Sequence, residues 1–257
     1  VTVIPPVDFS GSDLSGLNLS GAYFAGIEMD SVNLEGAILN YVYFDGTSMT
    51  YANLMNTQMS DIWIRDAILT HASLDAATIS GQIEGSDLSY ATMAAIDNND
   101  DIIAFSDSNC TGIDLRAAST TDKFYITDSI FVGANFSYFS HKYDPLDLDG
   151  ECTTVYSDML GFVANGVDFT GADFTSADFG CNPRFTETDF TDVNMVDSVW
   201  LLSGISSTSA AEYMDIIWDN TTCPDGYSSD LVIWTIPALD CPAYPQTCFC
   251  SMFGYME

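Results

Sequence analysis

The sequence predicts an all-β solenoid, and three observations carry that prediction. Large apolar residues recur every five positions, a residue that is mostly small or β-branched stands two places before each, and glycine recurs two places after. The large series runs Phe9, Leu14, Leu19, Phe24, Met29, Leu34, Leu39, Phe44 and on in unbroken phase to Ile79. The smaller series contains Leu17, Ala22, Ile27, Val32, Ala37, Val42, Ala52, Ala67, Ala72 and Ala77. An α-helix needs a period of 3.6 and a strand a period of two, so a period of five fits neither a helix nor one long strand.

Each unit has a local physical reading. Residues two apart in an extended segment point the same way, so the large residue and its small partner face inward together. The residue between them, often Asp or Asn as at Asp8, Asp13, Asn18, Asn33 and Asn53, faces water and can bond nearby corner backbone. Glycine at Gly11, Gly16, Gly21, Gly26, Gly36 and Gly46 suits the dihedrals of a corner. A five-residue side buries too little by itself. Such units must coil and stack, each coil pairing with the next at about 4.8 Å.

These residues resemble the pentapeptide repeat family, whose consensus is Ala-(Asp/Asn)-Leu-X-X. Val167-Asp168-Phe169-Thr170-Gly171-Ala172-Asp173-Phe174-Thr175-Ser176-Ala177-Asp178-Phe179 follows it almost verbatim, and Ala134-Asn135-Phe136 and Ser86-Asp87-Leu88 are further copies. The resemblance implies a right-handed quadrilateral β-helix with four repeats per coil. Residues twenty apart would then form ladders, Phe9, Met29, Met49 and Leu69 on one side and Phe24, Phe44 and Ile64 on another. It implies little about function, because function lives in sites grafted on folds.

The expected organisation is a solenoid over 1–205 and a Cys- and Pro-rich cap or tail over 206–257. One residue is lost between Ile79 and Ile83, irregular insertions are expected near 96–103 and 141–158, and one extra residue lies around Cys181-Asn182-Pro183. Residues Phe124 to Phe136 read as a weaker copy of the pattern. Ala210 to Asp215 reads as a short helical turn over the last coil, because an open solenoid end exposes core and unpaired backbone. The tail segment Trp218-Asp219-Asn220-Thr221-Thr222-Cys223-Pro224-Asp225-Gly226 resembles tails that follow pentapeptide repeats in exported bacterial proteins.

Composition then excludes partners. The 257 residues contain 37 Asp and Glu against 5 Lys and Arg, a formal charge of -32. Such a surface repels phosphate backbones and anionic lipid, which argues against direct nucleic-acid binding. No apolar run approaches the roughly 20 residues that span a bilayer, so no membrane insertion is expected. The chain starts at Val1 without a basic-then-apolar leader, which fits a mature chain whose signal peptide is gone or never existed.

Of seven cysteines, four fall in the last thirty-five residues beside Pro and Gly, a distribution that suits disulfides in an oxidising compartment. Cys223 with Cys241 is the first candidate pair, Cys152 with Cys181 the second. Cys110 stands at an inward position and reads as a small buried apolar residue. Most carboxylates belong to the repeat itself. Two clusters outside it, Asp97, Asp100 and Asp101, and then Asp144, Asp147, Asp149 and Glu151, are candidate calcium ligands, since calcium takes six to eight oxygens. No phosphate loop, dinucleotide fingerprint or serine elbow is present, so no catalytic or cofactor residues are expected.

The function expected is an extracellular, non-enzymatic structural protein, a rigid acidic rod that associates with copies of itself or with other surface proteins of a bacterium. The alternative is a DNA mimic that inhibits or protects a bacterial topoisomerase. Ice or carbohydrate binding on a flat face would call for regular Thr ladders, and Thr is scattered here.

Overall fold

The computed structural model describes residues 7–98, 101–120, 123–141, 161–181, 183–201, 216–223 and 232–234. Among them there is no α-helix, and the chain winds as a four-sided solenoid of parallel coils. Two sides are built from single-residue bridges. The first runs Asp8, Glu28, Ser48, Ile68, Asp87, Asn109, Ile130, Asp168, Asp189 and Ile217; the second runs from Asp13 through Asn33, Asn53, Ser73 and Thr92 to Thr222. Both are parallel throughout. The interval is twenty residues in the first coils, as the sequence period demands, and drifts only where the chain carries insertions or deletions.

The other two sides broaden into strands. One sheet stacks β1 (Tyr43–Asp45), β2 (Gln58–Arg65), β3 (Thr78–Glu84), β4 (Ile103–Ser106), β6 (Lys123–Thr127), β8 (Gly161–Asn165) and β10 (Arg184–Thr186). The other orders β5 (Ser119–Thr120), β7 (Ser140–His141), β9 (Asp178–Cys181) and β11 (Val199–Leu201). At the far end β12 (Ile216–Trp218) pairs antiparallel with β13 (Val232–Trp234), while Ile217 still bridges Asp189 in parallel. The ladder therefore extends past residue 205 and takes in Ile216 to Cys223. The segment expected to make a helical turn, Ala210 to Asp215, lies outside the described residues.

The core is one column. Met29, Leu34, Leu39, Phe44, Met49, Leu54, Met59, Ile64, Leu69, Leu74 and Ile79 are each no more than 1 % exposed. The outward Asp or Asn caps its own corner, as expected: Asp8, Asp13, Asp168, Asp173 and Asp189 each accept a bond from the backbone N–H two residues on, at 2.8 to 3.1 Å. One expectation fails at the first coil. Phe9, Leu14 and Leu19 are only partly buried, whereas Phe24 joins the buried core at 8 % exposed. Burial in a solenoid comes from the coils on both sides of a rung, and among the described residues this coil has a neighbour on one side.

The register breaks have local solutions. Where one residue is lost between Ile79 and Ile83, β3 shifts register against β2 and Gly81 takes φ +126°. A Cβ there would lie 2.1 Å from the Ile62 carbonyl oxygen, so only glycine fits. The stretch from Phe124 to Phe136 is not weak structurally: Phe124, Ile126, Phe131, Ala134 and Phe136 are all buried and their strands pair in register. Its inward residues are simply larger than the consensus. Another substitution of the pattern puts hydroxyls inside. Ser86, Ser108 and Ser129 stack at one corner, each Oγ donating to the carbonyl two residues back at 2.8 to 2.9 Å and accepting the backbone N–H of the preceding coil at 3.1 to 3.3 Å. Buried hydroxyls are tolerated there because both their donor and acceptor needs are met.

Candidate functional site

The outward positions carry the features that could meet a ligand, and the most built of them lies on the β1–β2 side. Tyr23, Tyr43 and Trp63 occupy the middle position of three successive coils and pair directly, Tyr23 with Tyr43 and Tyr43 with Trp63. Their rings stack along the rod, 5.8 Å apart and tilted by 48° for the first pair, 4.8 Å and 15° for the second. Two positions on, Asp45 pairs with Arg65 across the same coils. Tyr23, Tyr43, Asp45, Trp63 and Arg65 together line a pocket of about 240 Å³. Tyr23 Oη donates to Asp45 Oδ2 over a long 3.4 Å, and Arg65 Nε lies 3.4 Å from Glu84 Oε2. The site thus has an aromatic wall on one side and a carboxylate with a guanidinium on the other.

A second aromatic stack lies on a corner. Tyr51, His71 and Tyr90 are parallel to within 2° and 15°, with centroids 4.9 and 5.3 Å apart. All three adopt positive φ, between 58° and 59°. The left-handed conformation costs a non-glycine residue roughly 1–2 kcal/mol, and a ring pair returns about 0.5–1.5 kcal/mol. Stacking therefore offsets the strain without exceeding it. The stack stops on Gly112, where a Cβ would lie 2.8 Å from the Tyr90 ring.

The residues expected from the sequence are placed differently. Asp97 sits in the third ladder, bridging Thr78 and Ser119. Asp101 accepts from Ser80 Oγ at 3.2 Å and from the Ile102 N–H at 2.7 Å, so its oxygens serve the chain's own loop. Asp100, Asp144, Asp147 and Asp149 lie outside the described residues, and no cluster of three metal-ligating side chains occurs among the described ones. Cys110 is free, fully buried and beside Asp87; burial first, and that carboxylate second, push its thiol well above the ordinary range. It is inert, as an inward position implies. Cys223 is 2 % exposed and disulfide-bonded. Cys152 and Cys241, like the side chain of Cys181, lie outside the described residues.

The third ladder contains one polar interruption of the core. Asn98, Thr120 and His141 replace the large apolar residue in consecutive coils and are at most 1 % exposed. Thr120 Oγ1 and His141 Nδ1 are hydrogen-bonded at 2.8 Å, while His141 Nε2 is buried without a partner. Burial lowers the imidazole from its ordinary 6.5 to about 4, so it is neutral at physiological pH. Neither this ladder nor the aromatic pocket was named from the sequence. The signal for the pocket was present, since Tyr23, Tyr43 and Trp63 are twenty apart, but middle positions read only as solvent-facing.

A family model described as pentapeptide repeats matches residues 7–26 and 27–62, in eight copies. No curated protein matches the chain. Among solved structures, the chain is similar to HetL, a pentapeptide repeat protein involved in heterocyst differentiation regulation from the cyanobacterium Nostoc sp. strain PCC 7120, at 16% identity and a TM-score of 0.27, covering 87% of this chain and 94% of that one. A pentapeptide repeat protein of the Arabidopsis thaliana thylakoid lumen is 29% identical over 42% of this chain and 63% of its own, with a TM-score of 0.19. A trypsin-treated form of QnrB1, a plasmid-mediated fluoroquinolone resistance protein, is 14% identical over 82% and 89%, with a TM-score of 0.31. Residues 7–62 match the pentapeptide repeat model, and the same parallel ladders continue in register through the described coils, which is the fold of a pentapeptide-repeat β-solenoid.

Proposed function

We propose that this chain is a non-enzymatic extracellular rod that associates with copies of itself or with other surface proteins. The observation that carries the reading is the combination of one uninterrupted ladder, from Asp8 to Ile217, with a sequence of 37 acids and 5 bases. A stack in which every coil bonds to the next is stiff, and a surface of that charge stays hydrated in saline surroundings where screening is short-ranged. The disulfide at Cys223 supports an oxidising compartment. The pairing of Cys223 with Cys241 and calcium on the Asp144–Asp149 cluster belong to the same proposal.

Sedimentation at rising protein concentration, in salt with and without calcium, tests assembly; a monomer throughout removes it. Surface labelling of intact cells with a membrane-impermeant amine reagent tests location. A second reading is favoured by the acidity of the rod itself: carboxylates recur along its ladders, as at Asp13, Asp114 and Asp173, in the manner of a charged duplex. It makes the chain an inhibitor or protector of a topoisomerase inside the cell. Inhibition of DNA supercoiling at sub-micromolar protein, together with cytoplasmic recovery, would replace the first reading by the second.

A further inference from the structure

We infer that the pocket lined by Tyr23, Tyr43, Asp45, Trp63 and Arg65 is a binding site for a neutral, linear oligosaccharide lying along the rod axis. The chemistry of the two walls selects the class. Sugars present apolar C–H faces and polar hydroxyl edges at once, and bind where an aromatic surface stands beside convergent hydrogen-bonding groups. Here Tyr23 is 63 % exposed and Tyr43 38 %, beside the Asp45 carboxylate and the Arg65 guanidinium. The 48° tilt between them opens the stack at the Tyr23 end, which leaves a wedge of ring face accessible, whereas Tyr43 and Trp63 are closed on each other at 15°.

The opposite wall supplies both halves of a diol contact. The Asp45 carboxylate is acceptor-only and is engaged by a single long bond from Tyr23. The Arg65 guanidinium presents a planar donor fork, anchored to Glu84 through Nε and half-exposed at its outer end. Vicinal hydroxyls can donate to the first and accept from the second.

Charge narrows the class further. With a net charge of -32, a polyanionic ligand is repelled by the whole molecule. An organic cation would meet Asp45 and Arg65 together in the pocket, and tetramethylammonium is the probe that separates it from a sugar. A neutral ligand takes hydrogen bonds from both groups without depending on the net field. Length follows from the coil spacing. The pocket extends over three coils, and a pyranose unit is comparable in length to the coil separation of about 4.8 Å. One sugar per coil gives a site for about three units. Linear β-linked chains, which keep their rings in one extended ribbon, are the shape that fits.

The test is calorimetric titration of the full chain with cellotriose, chitotriose and laminaritriose, beside glucose and tetramethylammonium chloride. One trimer should bind with a dissociation constant on the order of 1 mM or tighter, and at least tenfold more tightly than glucose. Asp45→Asn and Arg65→Ala, which leave the ring stack in place, should each weaken binding about fivefold, and Trp63→Ala about tenfold or more. Tyr90→Ala, in the other stack, should leave binding unchanged. Absence of binding by every trimer overturns the assignment, as does binding that survives both Asp45→Asn and Arg65→Ala unchanged. Saturation by tetramethylammonium in place of the sugars would make it a cation site and likewise overturn it.

Discussion

The coils from Met29 to Ile83 are filled with Leu, Met, Ile, Val and Ala around Phe44, whereas those from Phe105 to Phe190 are packed with phenylalanine. In the second region the rings form a continuous network: Phe136 meets Phe131, Phe139, Phe169 and Phe174, and Phe174 meets Phe169, Phe179 and Phe190 as well. Surface aromatics are distributed the opposite way. Tyr41, Tyr43 and Tyr51 are exposed in the first region and Tyr23 and Tyr90 beside it, against Tyr138 alone among the described residues of the second. The two regions nevertheless share one backbone cross-section, because the corners and the parallel ladders set it. Volume is therefore balanced within a rung. Where the smaller inward position grows to Phe124 and Phe162, the larger one shrinks to Ile126 and Ala164. A solenoid side tolerates this exchange because both positions point into the same space.

The strongest way to break the comparison is a charge in the aliphatic region. Leu34→Asp should abolish cooperative folding, since one unpaired buried carboxylate costs several kcal/mol, and loss of the far-ultraviolet dichroism transition would show it. Cavities sharpen the contrast between regions. Phe174→Ala should cost about 4 kcal/mol and Leu54→Ala about 3 kcal/mol in urea unfolding, because the first removes contacts to four other rings. Equal losses would mean that the phenylalanine network packs no better than the aliphatic column.

The polar interruption at the border of the phenylalanine region gives a pH test. His141 titrates near 4 when folded and near 6.5 when unfolded, so between these values the unfolded chain holds the extra proton. Its stability contribution is whole above about pH 6.5 and is lost as pH falls toward 4, by about 3 kcal/mol in all. His141→Leu should flatten that part of the pH profile, measured by urea midpoints. Smaller effects belong to the surface. Tyr41, exposed at φ 61°, should tolerate Tyr41→Gly within about 1 kcal/mol, because relieved strain and lost chain stiffness oppose each other. The Cys110 thiol should resist iodoacetamide in the folded chain and react fully in denaturant, with no measurable change in stability before reaction.

Much of this rod was legible from its residues. The inward ladder through Leu34, Leu54 and Leu74, the water-facing Asp and Asn that bond their own corners, and the inert Cys110 follow from period, size and polarity, all of which are local. Three things were not. Phe9, Leu14 and Leu19 carry a perfect pattern yet are half-exposed, because burial depends on what stacks beside a coil and not on the coil's own letters. Asn98, Thr120 and His141 break the apolar pattern yet are buried, because the backbone rungs above and below held the side in place when the side chains changed.

Asp97 and Asp101 look like a cation cluster in sequence. In three dimensions one is a ladder residue and the other caps a loop, since a five-residue coil side turns neighbours in sequence toward different directions. The aromatic pocket shows the same division. Sequence by itself determined that every fifth residue enters the core and that acids dominate the outside. Only the tertiary structure decided which outward residues meet, because contact across coils joins positions about twenty apart and sets Tyr23, Tyr43 and Trp63 beside Asp45 and Arg65.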